Sequence, residues 1–157
     1  MQSNDQQKID VVSDQNLDNV LITSLAIIDT PGGDVLHGMK VDALGYAGFG
    51  EAYFSSVEQG FIKGWKRHRE MTLNLIVIDG EIEFVIFDER PSSSTYQKFQ
   101  KVTLSLSNFA RLTIPPMLWV AFRGSSQRRN LLLNVANLVH DPQEMDTKPI
   151  SDIYYSW

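Results

Sequence analysis

Ten short apolar runs, cut from one another by Gly, Pro, Ser, Asn and Asp, are what most restrict the folds open to this chain. They fall at 20–28, 34–41, 49–57, 61–68, 71–78, 81–88, 101–106, 111–114, 118–122 and 130–136, and they are rich in Val, Ile, Leu, Phe and Tyr. Runs of this length and composition between turn residues are a strand signature. No window of a dozen residues carries the helical period, and no longer repeat is visible. The pattern predicts an all-β sandwich or jelly roll.

Two stretches predict how the runs are joined. In Ile78-Asp79-Gly80-Glu81 an Asp-Gly pair links two apolar runs, as a tight antiparallel hairpin with a two-residue turn requires. Pro115-Pro116 cannot sit inside a central strand, because proline donates no ladder hydrogen bond, so it marks a bend between two strands. Pro91 with Ser92, Ser93 and Ser94 marks a loop. Residues 1–18 are polar and aperiodic and read as a frayed arm, leaving 19–157 as one domain of ordinary size.

Bulk chemistry narrows the partners. A hydrophobic fraction of 43% supports a sizeable core. The net charge of −5 argues against a nucleic-acid surface, which normally shows as a basic excess. The absence of cysteine removes disulfides, thiol nucleophiles and thiolate metal sites, and it fits a reducing compartment. With no signal-type apolar segment near the start and no run of about 18 apolar residues, the expected location is cytoplasmic and away from membranes.

Against the acidic background Lys63, Lys66, Arg67, His68 and Arg69 crowd together, an arrangement suited to a small anion such as a nucleotide pyrophosphate. If 63–78 is one extended stretch, alternation puts Lys66, His68, Glu70, Thr72 and Asn74 on one face, and Met71, Leu73, Leu75 and Val77 on the other. Such a polar face ordinarily meets solvent. Two features point instead to a cavity wall: Ile76 and Ile78 continue the polar face as apolar residues, and Gly64 suggests a bulge or close backbone approach. Of the three histidines, His37 and His140 read as structural, whereas His68 stands in the basic cluster. Their scatter predicts no metal centre, which needs three or four convergent ligands. No phosphate loop, dinucleotide fingerprint, nucleophile elbow or zincin motif is present. Trp119 either stacks on a base or sugar or belongs to the core. Asn134, which interrupts an apolar run, is either a network member or a site residue.

Phe49-Gly50-Glu51-Ala52-Tyr53-Phe54, then Ile62-Lys63-Gly64-Trp65-Lys66, then 77–88 with Arg90, then Ile114-Pro115-Pro116 together resemble the motif order of dTDP-4-dehydrorhamnose 3,5-epimerases. The resemblance runs from about Gly33 to the end. It implies a dimeric cupin jelly roll that acts in cytoplasmic assembly of deoxysugar donors for surface polysaccharides. In that family an Arg-Gly-x-His segment supplies the general base and a tyrosine on a later strand the acid. Here Lys66 stands in the place of that histidine, with His68 two residues on. Asn134 aligns with the tyrosine, and Val120 takes the place of a later histidine. Against the related 3,4-ketoisomerases, His68 matches the second histidine of Arg-Gly-x-His-x-His, and Trp119 the tryptophan of Pro-Pro-x-x-Trp. Asp88 and Arg90 match an Asp-x-Arg whose arginine helps hold the nucleotide diphosphate.

The resemblance thus implies an epimerase or ketoisomerase acting on a nucleoside-diphosphate 4-keto deoxysugar, needing no cofactor. His68 is the expected base, and Lys66 the group polarising the ketone or enolate oxygen. Lys63, Tyr53, Asn74, Arg90, Trp119 and Asn134 are expected around the substrate. The alternative is a cupin that binds a sugar nucleotide without turning it over. A homodimer is expected through 20–28, apolar on both faces.

Overall fold

The computed structural model describes residues 16–157. Its strands are β1 (Leu21–Ser24), β2 (Ile27–Ile28), β3 (Val35–Leu36), β4 (Glu51–Val57), β5 (Ile62–His68), β6 (Leu73–Asp79), β7 (Glu81–Asp88), β8 (Phe99–Ser105), β9 (Ala110–Ile114), β10 (Leu118–Gly124), β11 (Asn130–Ala136) and β12 (Met145–Thr147). One sheet runs β1-β9-β6-β11-β4, a second runs β12-β5-β10-β7-β8, and β2 pairs with β3 alone. The all-β jelly-roll sandwich read from the sequence is the observed fold. Among the described residues no helix is long and apolar enough to cross a membrane.

Alternation along the strands builds the core. β11 buries Asn130, Leu132, Asn134 and Ala136, while Leu131, Leu133 and Val135 on its other face are half-buried. Leu73, Leu75 and Val77 of β6 meet Ile82, Phe84 and Ile86 of β7 in one cluster between the sheets. At about 1.5–3 kcal/mol for each fully buried large apolar side chain, this contact dominates the stabilisation.

The second sheet is covered on its outer side as well. Trp65, Val85, Trp119 and Ala121 pack there with Ile153, and Phe87, Phe99, Tyr155 and Trp157 lie against them. The segment after β12 therefore forms an outer layer. A strand buried on both sides has no polar face to show, which explains why 81–88 reads as a nearly continuous apolar run.

The structure corrects the expected joints. The run 20–28 divides into β1 and β2, because the chain leaves β9 after Ser24, and 34–41 contributes only β3. Asp79-Gly80 is not a hairpin turn: β6 lies in the first sheet and β7 in the second, and neither pairs with the other. Gly80 has a φ of 73°, whereas Asp79 is not in the left-handed region, so the pair forms a corner between sheets. Glycine is required there, since a Cβ would stand 2.4 Å from the Arg129 carbonyl oxygen. Apolar residues flank a corner and a hairpin alike because the same core lies beneath both. Pro115-Pro116 marks a second crossing, from β9 to β10. Most of the arm expected at 1–18 lies outside the described residues, but Leu17 is buried in the core and the Asp18 carboxylate accepts from the Ser94 amide at 2.9 Å.

The close approach expected at Gly64 is present. The β5–β10 register shifts beside it, its φ is 141°, and a Cβ would meet the Ala121 Cβ at 2.5 Å and its Cα at 2.6 Å. Gly64→Ala is expected to lower stability by about 1–3 kcal/mol, the usual cost of overpacking, as read from urea unfolding.

Candidate functional site

β5 separates two environments. Lys66 and His68 line a cavity between the sheets, whereas Trp65 and Arg67 lie on the outer side, with the Arg67 guanidinium 4.7 Å from the Trp119 ring centroid. The cavity encloses about 150 Å³. Tyr53, Ser55, Lys63, Lys66 and His68 supply its polar groups, and Leu73, Leu75, Val120, Phe122 and Leu132 its apolar walls. A space of this size takes one ring-sized group, less than the roughly 300 Å³ that encloses a drug-sized ligand whole.

The face assignment for 63–78 needs correction. β5 ends at His68 in the second sheet and β6 starts at Leu73 in the first, so the alternation does not carry across the bend between them. Leu73 and Leu75 therefore share the cavity with Lys66 and His68. Asn74 faces the other way. Its amide donates to the Gly45 carbonyl at 3.2 Å and its Oδ1 accepts from Thr113 at 2.7 Å, which leaves it outside the cavity.

His68 has a partner that sequence reasoning missed. Its Nδ1 is hydrogen-bonded to Glu144, which sits in a 3-10 turn (Pro142–Glu144) just before β12. The other carboxylate oxygen accepts from the amides of Glu70 at 3.0 Å and Met71 at 3.2 Å. Burial opposes ionisation of Glu144, but the bonds from His68 and from those two amides outweigh it and hold the carboxyl below its usual value. An ionised carboxylate only accepts, so Nδ1 carries the hydrogen, and the neutral form of the ring then has its lone pair on Nε2. That is the tautomer a base requires. No local pattern around Glu144 announces it; only the pairing of β12 with β5, Met145 opposite His68, brings it there.

Among the described residues the Lys66 ammonium has neither a hydrogen bond nor an ion pair, while Lys63 donates to the Ser56 carbonyl at 2.6 Å. Tyr53 and Asn134 face each other across β4 and β11, and the Asn134 amide donates to the Tyr53 oxygen at 3.1 Å. Asn134 is thus a buried network member behind Tyr53, which itself lines the cavity.

Two expected substrate residues lie elsewhere. Trp119 is buried on the outer side of the second sheet, between Arg67 and Lys148, and its indole donates to Glu89 at 2.7 Å. Arg90 is committed to Asp88 through two bonds at 2.9 and 2.8 Å, and it also donates to the Asp18 carbonyl at 2.9 Å. Its guanidinium is a structural clamp joining residue 18 to the loop after β7, and it does not line the cavity. Among the described residues no three His, Cys, Asp or Glu side chains gather as metal ligands.

The family model for dTDP-4-dehydrorhamnose 3,5-epimerase matches residues 36–153. Among solved structures, a dTDP sugar isomerase from Desulfovibrio desulfuricans G20 shares 34% identity over 85% of this chain and 85% of that one, with a TM-score of 0.82. A 3'-monoepimerase from Streptomyces bikiniensis in complex with dTDP-quinovose has a TM-score of 0.81 at 13% identity, covering 91% of this chain and 77% of that one. A mutant 3,4-ketoisomerase from Thermoanaerobacterium thermosaccharolyticum in complex with TDP-4-keto-6-deoxyglucose has a TM-score of 0.69 at 17% identity, covering 83% and 88%. At those identities the last two show a shared fold alone. The comparison with curated proteins gives no match.

The Arg90 clamp makes a pH-dependent prediction. Burial opposes ionisation of Asp88, but bonds from Arg90, Ser93 and Thr95 prevail and hold its carboxyl far below the usual range. A depressed folded-state pKa stabilises fully above the unfolded value, about 3.9, and the contribution is lost as pH falls beneath it. Arg90→Ala should therefore lower stability by about 3–5 kcal/mol at neutral pH, as when a buried pair loses one partner. Melting temperature followed from neutral pH into the acid range should fall less steeply in the variant. Its dTDP affinity, measured by calorimetry, should stay within a few fold.

Proposed function

The chain belongs to the dTDP-4-dehydrorhamnose 3,5-epimerase family, and from that premise we propose that it moves a proton beside the ketone of a nucleoside-diphosphate 4-keto deoxysugar. The observation that carries the reading is the ionised Glu144 bonded to His68, next to an unpaired Lys66, on the wall of a cavity sized for one sugar ring. The ring enters the cavity, and the nucleotide, too large to follow, lies across its mouth with Lys63 facing the diphosphate.

The chemistry is general base catalysis on an activated carbon. The ketone acidifies the neighbouring C–H, the free Nε2 of His68 takes that proton, and the electron pair moves to the carbonyl oxygen as an enolate. Lys66 stabilises the charge as it forms; a cation already in place there costs no reorganisation during the step. Glu144 holds the ring and favours the imidazolium that results. The carbon is neither oxidised nor reduced, so no redox cofactor enters.

We place this activity in cytoplasmic assembly of deoxysugar donors for surface polysaccharides, and in a homodimer. Val41, Leu44, Phe49 and Phe54 and the β2–β3 pair leave large apolar side chains exposed, more than isolated chains usually tolerate together. Sedimentation velocity at micromolar concentration should give twice the chain mass; a stable monomer counts against the dimer.

His68→Asn should abolish deuterium uptake from heavy water into TDP-4-keto-6-deoxyglucose while dTDP binding stays within a few fold. Glu144→Gln gives a finer test. A glutamine can still accept from the Glu70 and Met71 amides, but its NH2 would donate to Nδ1, forcing the hydrogen onto Nε2. Uptake should fall roughly 10³-fold or more, as for wrong-tautomer variants of other His–carboxylate pairs. Binding without uptake in the unaltered protein would favour the non-catalytic alternative.

A further inference from the structure

The polar groups around the cavity give hydrogen bonds more readily than they take them. Lys63 and Lys66 are cations, and among the described residues no carboxylate lines the space. Glu144 stands behind His68, its oxygens occupied by His68 and by the Glu70 and Met71 amides. The side-chain acceptors left to a bound ring are the Nε2 lone pair of neutral His68 and the Ser55 hydroxyl.

Tyr53 joins the donors because of its neighbour. Asn134 Oδ1 accepts the Asn74 backbone N–H at 3.1 Å, so the other end of the amide is the NH2, and it donates to the Tyr53 oxygen at 3.1 Å. Asn134 is fully buried, which fixes that direction. A phenol oxygen that has accepted one hydrogen offers its own hydrogen to the next partner. Tyr53 stands on the first sheet and Lys66 on the second, so a ring between them meets donors from both walls.

Nitrogen on the ring suits neither wall. A ring amine is positively charged at neutral pH and only donates. It would face Lys66 as a like charge, meet Tyr53 donor to donor, and lose water against Leu73, Leu75, Val120 and Phe122. An acylamide is neutral but bulkier, and the cavity encloses about 150 Å³, room for one ring. The wall is packed from behind: Leu132 is 2% exposed, and Phe122 lies against Phe84 with ring centroids 5.7 Å apart. We infer that the cavity selects a sugar ring without nitrogen, Lys66 and the Asn134–Tyr53 pair excluding amines, and Phe122 and Leu132 excluding acylamides. This rests on the reading of the cavity as the sugar site and adds the substrate class. In a reaction sequence that ends in an amino sugar, this chain acts before the amino group is transferred.

The test is binding by calorimetry at neutral pH, which needs no turnover. The ligands are dTDP, dTDP-quinovose, its analogue with an amine in place of the 3-hydroxyl, and the N-acetyl form of that analogue. dTDP-quinovose should bind more tightly than dTDP, and the amine about 10²-fold more weakly than dTDP-quinovose, as for a like charge set in a site without a partner. The acetamide should also bind more weakly. Lys66→Met should bring the amine to within a few fold of dTDP-quinovose and leave the acetamide excluded. Phe122→Leu should do the reverse, with melting temperature checking its fold. Asn134→Asp is independent of both: its carboxylate would accept the Tyr53 hydroxyl hydrogen and turn the phenol oxygen into an acceptor, so the penalty on the amine should shrink although Lys66 remains. An amine that binds the unaltered protein as well as dTDP-quinovose, or a penalty on it that survives Lys66→Met and Asn134→Asp alike, overturns the proposal. dTDP-quinovose binding no better than dTDP overturns the sugar-site reading and this inference with it. The expected binding order without deuterium uptake from heavy water supports the inference and sinks proton transfer alone.

Discussion

The pairing of β12 with β5 is the contact on which the arrangement of the cavity's polar wall depends. Three residues long, β12 sets Met145, Asp146 and Thr147 opposite His68, Arg67 and Lys66. Lys148 and Trp65 then exchange backbone bonds at 3.1 and 3.0 Å. This ladder fixes the alternation of β5, so that Lys66 and His68 look inward while Arg67 looks outward to Asp146, with Arg69 joining the same carboxylate. Register on a strand is all or nothing: a slip of one residue would exchange the inward and outward sets. The aromatic layer of Trp65, Tyr155 and Trp157 reinforces the register from outside by burying the tail that follows β12.

Charge is distributed by the same logic. The chain carries five more acids than bases, yet the cavity wall presents Lys66 and Lys63. Other cations are committed to carboxylates: Arg67 and Arg69 to Asp146, Arg90 to Asp88, Lys101 and Arg123 to Glu83, Lys148 to Glu89. Within a Debye length of about 8 Å at physiological salt an unpaired ammonium outweighs distant compensated pairs, so the cavity wall is locally positive on an acidic protein. The basic cluster seen in the sequence is thus two populations sorted by strand alternation.

Much of the fold was legible because strand chemistry is local. Short β-branched and aromatic runs fixed the class, and Gly64 and Pro115-Pro116 kept their expected meaning. Asp79-Gly80 misled because a turn signal says that the chain reverses and not which sheet receives it. Lys66, His68, Lys63 and Tyr53, expected from one strand's pattern and a resemblance, all line the cavity. Glu144 was not legible, since 76 residues separate it from His68 and nothing between them encodes the approach. Asn74 was misassigned because a two-residue period was extended through a bend. Arg90 was assigned from its match to an Asp-x-Arg pattern, which cannot say whether the arginine turns to a ligand or to the aspartate two residues before it.

β12 and its aromatic tail follow every other strand in chain order, which gives the molecule a timetable. The eleven preceding strands include every side chain that lines the cavity, so the pocket can close before its carboxylate arrives. During synthesis a chain that has not yet passed residue 144 holds His68 with no partner to choose between its nitrogens. Such an intermediate has a receptacle but no directed base. On the proposed reading of His68 as the base, competence for chemistry is conferred late, by the same segment that seals the outer layer, and maturation of the fold and of the site become one event.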